Sequence, residues 1–174
     1  IVIGIGGSNL GTQAVYEAIA GSMNLLVDRL PKLLFLDTVT DEKMTAVTRV
    51  FEQLTHKGDF LAFVISKSGT TTETIANMEV LWASATEQLG DVRDRFVCIT
   101  DEGSKLWNIA KENKLEVFSV PAQVGGRYSI FSAVGLLPLA LAGVDTEELT
   151  VGARRALVDG TSPDLSKNHS LVSA

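Results

Sequence analysis

Residues 60–74 read FLAFVISKSGTTTET, two kinds of chemistry placed end to end. Residues 60–65 are apolar without a charge or any polar alternation, the pattern of a strand buried on both faces. Ser66, Ser68, Thr70, Thr71 and Thr72 then supply hydroxyls around Lys67 and Gly69, and the helical spacing of Thr72–Leu89 follows. A buried strand passing through a short polar loop into a helix is half of a βαβ unit. The stretch therefore predicts a parallel sheet with helices packed on both faces.

Working outward, four more short apolar runs have the same look: residues 1–5, 33–36, Phe96–Thr100 and 116–120. All five read as strands buried on both faces. Helical spacing fills the gaps, in Leu10–Ala20, 41–54 and 104–112, with 128–142 and 146–157 after the last strand. Thr40 or Asp41 can cap the second helix and Ser104 the fourth. Alternating strands and helices of these lengths predict an α/β fold: a three-layer αβα sandwich on a five-stranded parallel sheet, with ligands at the carboxyl ends of the strands. Residues 1–158 are expected to form one domain, and 159–174 a linker. The chain starts inside an apolar run, and TSPDLSKNHSLVSA loses periodicity, so a longer parent chain is expected.

With 174 residues, 45% of them hydrophobic, the chain suits a single well-packed domain. A net charge of -6 argues against a nucleic-acid surface, because phosphate backbones are held by clustered Lys and Arg. An anionic ligand must then be bound by a few placed groups. Cys98 is the single cysteine and sits in the apolar run FVCIT, where it reads as a buried thiol in a reducing, cytoplasmic setting. No apolar run approaches the roughly 20 residues that span a bilayer.

Three loops at expected strand ends concentrate the chemistry. Residues 4–11, GIGGSNLG, fail as a dinucleotide fingerprint because Asn9 stands where glycine is needed. They fail as a P-loop because Thr12 and Gln13 follow Gly11 in place of Lys and Ser/Thr. What survives is a glycine turn that lets backbone approach a ligand at a helix N-terminus, with the Ser8 hydroxyl added; the alternative is a plain βα turn. In the second loop, the alternative is a single Thr that only caps the helix, with Glu73 at its positive end. A cap needs one hydroxyl and this loop has five, enough to surround an anion. Lys67 either neutralises that anion or is solvated. The third loop, residues 123–135, reads QVGGRYSIFSAVG and sets Arg127 just ahead of an apolar helix, where a guanidinium can hold an oxyanion or a surface salt bridge.

The remaining candidates are weaker. Residues 37–40 and 100–104 read as turns and caps, His56 and His169 as solvated, and Trp82 and Trp107 as core. No Cys or His cluster has metal-ligand spacing.

Taken together, VIGIGGSNLG, VISKSGTTTET and QVGGRYSIFSAVG resemble, in order and spacing, the three hallmark segments of the bacterial phosphoglucose isomerases. The likeness runs from residue 1 to about residue 157, and the third segment is specific to that family. The first two also mark the wider sugar isomerase (SIS) domains, whose sheet is the flavodoxin-like one expected above. The resemblance implies isomerisation of glucose 6-phosphate and fructose 6-phosphate through a cis-enediolate, without metal or organic cofactor, in a homodimeric enzyme. It implies that Gly7, Ser8 and Gly126 line the substrate site, and that Ser66, Lys67, Ser68 and Thr71 hold the sugar phosphate. Arg127 would stabilise the enediolate as the catalytic residue, with Glu73 in support. The family's proton-shuttling glutamate, and its ring-opening histidine and lysine, fall in later segments that nothing here matches, His169 included. Two other classes compete: a non-catalytic phosphosugar-binding module of a regulator, which has no need of Arg127, and a nucleotide-binding protein, which rests on the glycine loop alone.

Overall fold

The computed structural model describes residues 1–21, 23–28 and 31–173; Ala174, the last residue of the expected linker, lies outside them. Five strands form one sheet: β1 (Val2–Ile3), β2 (Phe35–Leu36), β3 (Ala62–Ile65), β4 (Phe96–Thr100) and β5 (Glu116–Ser119). All pairs are parallel, and the order is β2-β1-β3-β4-β5. This is the flavodoxin-like doubly wound order, in which the strand order reverses between β1 and β3.

Pleating decides the layers. Successive strand side chains point to opposite faces, so Val64 and Ala62 join one core and Phe63 and Ile65 the other. The first core takes Val47 and Phe51 from α2 (Asp41–Gln53), Met78 and Leu81 from α3 (Thr72–Leu89), and Leu106 from α4 (Lys105–Glu112). The second takes Tyr16 from α1 (Leu10–Ala20) and Val134 and Leu139 from α5 (Ala133–Leu141). The three-layer sandwich expected from the sequence is thereby formed.

The differences have physical causes. Strands β1 and β2 are two residues long, because the glycine loop turns away at Gly4 and β2 lies at the sheet edge. Strand β5 is not buried on both faces: it is the opposite edge strand, and Glu116, Phe118 and Ser119 are exposed. The helix expected over 128–142 is split, with a 3-10 segment at Gly126–Phe131 and a fresh start at Ser132, whose hydroxyl caps α5 at Val134. Thr40 and Ser104 cap α2 and α4 as expected. Helix α6 runs over Thr146–Gly160, three residues past the expected end, and none of its residues is buried.

In the tail, Asn168 is buried and donates to the carbonyls of Gly160 (2.9 Å) and Ser162 (2.7 Å), and it starts the short helix α7 (His169–Val172). His56 and His169 are exposed, as expected. Trp82 is half buried and packs against the first core, its ring centroid 5.0 Å from that of Phe96. Trp107 is only half buried, with the Lys111 ammonium 5.1 Å from its ring centroid, so its expected core role fails. No helix among the described residues is long and apolar enough to cross a membrane.

Candidate functional site

The doubly wound order makes a crevice where the strand order reverses, at the carboxyl ends of β1 and β3. Two of the three candidate loops leave the sheet there. The glycine loop after β1 makes a 3-10 turn at Gly6–Ser8 and enters α1 through Asn9, with Gly6 at φ +56°. A Cβ placed on Gly4 would lie 3.1 Å from the carbonyl oxygen of Ile65, the residue before Ser66, so the two loops pack side by side. A side chain at Gly4 would need its neighbours to give way, since its Cβ would also lie 2.9 Å from the Ser8 Cβ.

The hydroxyl loop is built around Ser66. It is buried, and its Oγ lies 2.9 Å from Thr71 Oγ1 in a hydroxyl–hydroxyl bond, with the Thr71 N–H also reaching Ser66 Oγ at 3.4 Å. Ser68 stands at the exposed rim and accepts from the Thr70 hydroxyl (3.2 Å) and N–H (3.3 Å). Gly69 turns the loop at φ +68°, and a Cβ there would sit 2.5 Å from Ser104 Oγ. The reading of a Thr that merely caps the helix fails: Thr71 is the N-cap of α3, yet its side chain makes no cap bond. The first N–H groups of α3 are therefore left without a side-chain acceptor, at the positive end of an 18-residue helix dipole. Glu73 lies exposed in that first turn.

The third segment leaves β5, two strands beyond β3, and crosses back to the glycine loop. Its Gly126 meets Gly7 so closely that a Cβ on Gly7 would lie 2.5 Å from the Gly126 carbonyl oxygen and 2.6 Å from the Arg127 nitrogen. The buried Ser129 hydroxyl fastens this meeting, donating to the carbonyls of Gly126 (2.6 Å) and Gly7 (3.3 Å). Arg127 is exposed and, among the described residues, makes no hydrogen bond or ion pair, so the surface salt bridge is not formed. It lines a cleft of about 550 Å³ with Gly6, Gly7, Leu10, Gly11, Gly126 and Tyr128.

Lys67 is not a solvated side chain. Its ammonium donates to the carbonyls of Ala122 (2.9 Å) and Val124 (2.8 Å), in the crossing segment. The fold thus gathers Gly7, Gly126 and Arg127 at one cleft and Ser66, Ser68 and Thr71 at the neighbouring strand end. Lys67 spans from the second group to the segment carrying Arg127. Ser8 is half buried in the 3-10 turn of the glycine loop. The loop at 37–40 is turn and cap chemistry as expected: the Lys43 ammonium, 2.6 Å from Asp37, holds that carboxyl below its usual range.

Sequence reasoning passed over three groups. Thr74, in the first turn of α3, is buried and its hydroxyl has no partner among the described residues; the same holds for both polar side-chain atoms of Asn9. Thr74 was hidden by reading it as helix body, although it follows Thr71 by the three residues that put two side chains on one helix face. Ser129 had no signal beyond its place two residues after Arg127. Among the described residues no group of three or more His, Cys, Asp or Glu lies close enough together to hold a metal.

This architecture is a flavodoxin-like doubly wound sandwich, with a hydroxyl loop and a helix end without a side-chain cap at the switch point. The profile of phosphoglucose isomerase matches residues 1–162, and the chain belongs to that family. Over 172 residues it is 36% identical to the glucose-6-phosphate isomerase of Methanocaldococcus jannaschii, covering 99% of this chain and 40% of that protein. It is 40% identical over 160 residues to the enzyme of the same name from Rubrobacter xylanophilus, covering 89% of this chain and 36% of that protein. The crystal structure of a glucose-6-phosphate isomerase from Chlamydia trachomatis superposes with a TM-score of 0.83 at 31% identity, over 99% of this chain and 32% of that one. The chain therefore spans about two fifths or less of the length of these relatives.

Proposed function

We propose that this chain is the first phosphosugar-binding domain, of the SIS type, of a cytoplasmic, homodimeric glucose-6-phosphate isomerase. The observation that supports the reading is an α3 N-terminus without a side-chain cap beside Ser66, Ser68 and Thr71, with Lys67 bonding to the segment that leads to the unpaired Arg127 of the neighbouring cleft. In this reading the hydroxyls and first-turn N–H groups hold the phosphate, and Lys67 adds positive charge beside it. Gly7, Ser8 and Gly126 line the sugar, because backbone can approach it there.

Aldose to ketose conversion moves a proton from C2 to C1 and leaves negative charge on the enediolate oxygens in between. The Arg127 guanidinium, with no competing carboxylate, is free to stabilise that charge. Glu73 supports the site from the first turn of α3. The base that carries the proton is, by the family resemblance, a glutamate further along the longer family chain. Binding and charge stabilisation are this domain's share, and no metal or organic cofactor enters.

The test is a calorimetric or NMR titration of the chain with fructose 6-phosphate, with free fructose, inorganic phosphate and NAD as controls. Binding of the sugar phosphate that perturbs the amides of residues 66–72, with no response to NAD, is expected. NAD binding through residues 4–11 would defeat the reading. Robust glucose 6-phosphate turnover by these 174 residues alone would defeat the assignment of the base to another part of the enzyme.

A further inference from the structure

Arg127 has no side-chain partner among the described residues, so its position is set by its backbone. That backbone has a long way to come. It leaves the sheet after β5, at the far edge, and passes the carboxyl ends of β4 and β3 before Gly126 reaches Gly7 beyond β1. At the glycine end it is fastened by the Ser129 hydroxyl, on the carbonyls of Gly126 and Gly7. Along the crossing, Pro121, Ala122 and Gln123 are exposed, and one turn bond, Val124 N–H to the Pro121 carbonyl at 2.9 Å, is the segment's own.

The crossing is tied to the rest of the protein by Val120 and Val124, which pack against the second core, and by the hydrogen bonds of Lys67. The Lys67 ammonium takes the carbonyls of Ala122 and Val124 on either side of Gln123, and its stem is anchored in turn. The Lys67 carbonyl accepts from the Asp101 N–H (3.0 Å) and the Thr100 hydroxyl (3.4 Å) at the end of β4. Bonds from an ammonium to carbonyls are charge-assisted and stronger than neutral ones, and two of the three N–H donors are used this way. Lys67 stands next to Ser66, whose hydroxyl organises the anion loop.

We propose that Lys67 is a positioning residue, which locks the Arg127 segment in register with the hydroxyl loop so that phosphate and guanidinium sites are built at a fixed separation. The inference rests on the proposed function for its consequence, though its geometry is independent of it. Lys67 acts through the backbone of residues 122–127; the phosphate is held chiefly by its neighbours.

The experiment uses Lys67→Met, which keeps the stem and removes the ammonium, and Lys67→Arg, which restores a donor. The first readout is the amide spectrum of the unliganded 174-residue chain. Shifts or broadening confined to residues 122–129 are expected in Lys67→Met, with partial return in Lys67→Arg; unchanged amides in that segment overturn the inference. The second readout is affinity for two probes: inorganic phosphate, and an aldonate phosphate whose carboxylate mimics the enediolate. Lys67→Met is expected to lose about tenfold or more on the aldonate phosphate, since small misplacements of a positioned group are costly, and under about threefold on inorganic phosphate. An equal loss on both probes makes Lys67 a direct phosphate ligand and overturns the inference. If the unmodified chain binds neither probe, the proposed function fails, and the amide comparison alone decides the role of Lys67.

Discussion

Gly7 and Gly126 come from the loops after β1 and β5, strands separated by β3 and β4 in the sheet, and their backbones touch: a side-chain carbon on Gly7 would stand 2.5 Å from the Gly126 carbonyl oxygen. No rotamer relieves such a clash, because both partners are main chain. Gly7→Ala is expected to push the Arg127 segment away, destabilising the fold by about 1–3 kcal/mol as an overpacking change does. Phosphosugar affinity should fall with it. Gly6→Ala is the instructive control, since its Cβ would meet no atom within 4 Å and only the φ of +56° would be strained. Thermal denaturation of the two variants separates contact from backbone conformation; equal losses would show that the Gly7–Gly126 contact does not matter.

The Ser66–Thr71 hydroxyl pair allows a sharper test of the anion site. Each hydroxyl is within reach of the other at 2.9 Å, so removing one leaves the second without its partner. Ser66→Ala and Thr71→Ala are each expected to weaken sugar phosphate binding by roughly 1.5–3 kcal/mol, the worth of a hydrogen bond to a charged group. The double variant should lose less than the sum, because the two hydroxyls act as one unit. Calorimetry on the three variants reads this directly. Full affinity in both single variants would remove the phosphate from this loop.

How much of this was legible beforehand follows from what kind of information each feature needs. The strands announced themselves because a segment buried on both faces must be apolar throughout, as residues 60–65 are. The exception is β5, an edge strand, where Glu116 and Ser119 in EVFSV already break the apolar run and are exposed. The hydroxyl loop stood out through excess, five hydroxyls where one would cap. What the sequence could not show is Lys67's choice of partner, which lies 55 and 57 residues away along the chain. Nor could it show the break at Ser132, where apolar content on both sides concealed a change from 3-10 to α geometry. Local pattern is written in composition; long-range pairing exists only once the sheet order brings the ends together.

Cys98 provides a prediction independent of function. It is fully buried in the middle of β4, and burial, with no nearby cation to favour the thiolate, pushes its thiol from the ordinary 9.0 up to about 12. A thiol-reactive disulfide at pH 8 is expected to label it only in denaturant. The raised folded value also fixes the sign of the pH dependence. Below pH 9 the thiol is neutral in both states and has no effect on stability. From pH 9 toward 12 the unfolded chain ionises first, so this site lowers stability by up to about 1.4 kcal/mol per pH unit. Cys98→Ala should lessen that alkaline loss. Rapid labelling of the native protein would show that β4 opens locally, against its place in the interior of the sheet.

Arg127 is the residue on which the catalytic reading stands, and its surroundings make it a clean target. It is exposed and makes no hydrogen bond or ion pair among the described residues, so replacing it should leave stability within about 0.5 kcal/mol. Loss of activity then cannot be blamed on unfolding. Lysine keeps the charge but loses the planar fork, which matches two oxygens at once. In an enzyme that carries this domain and turns over glucose 6-phosphate, Arg127→Lys is expected to lower kcat by about 10²-fold, the scale seen on removing one preorganised donor to a developing oxyanion. KM should change less than about threefold, because the interaction belongs to the enediolate-like transition state and not to the bound sugar. Steady-state kinetics with a coupled assay supplies both numbers. A rise in KM with kcat unchanged would make Arg127 a ground-state ligand of the sugar, and the charge-stabilising role would pass to some other group in the crevice.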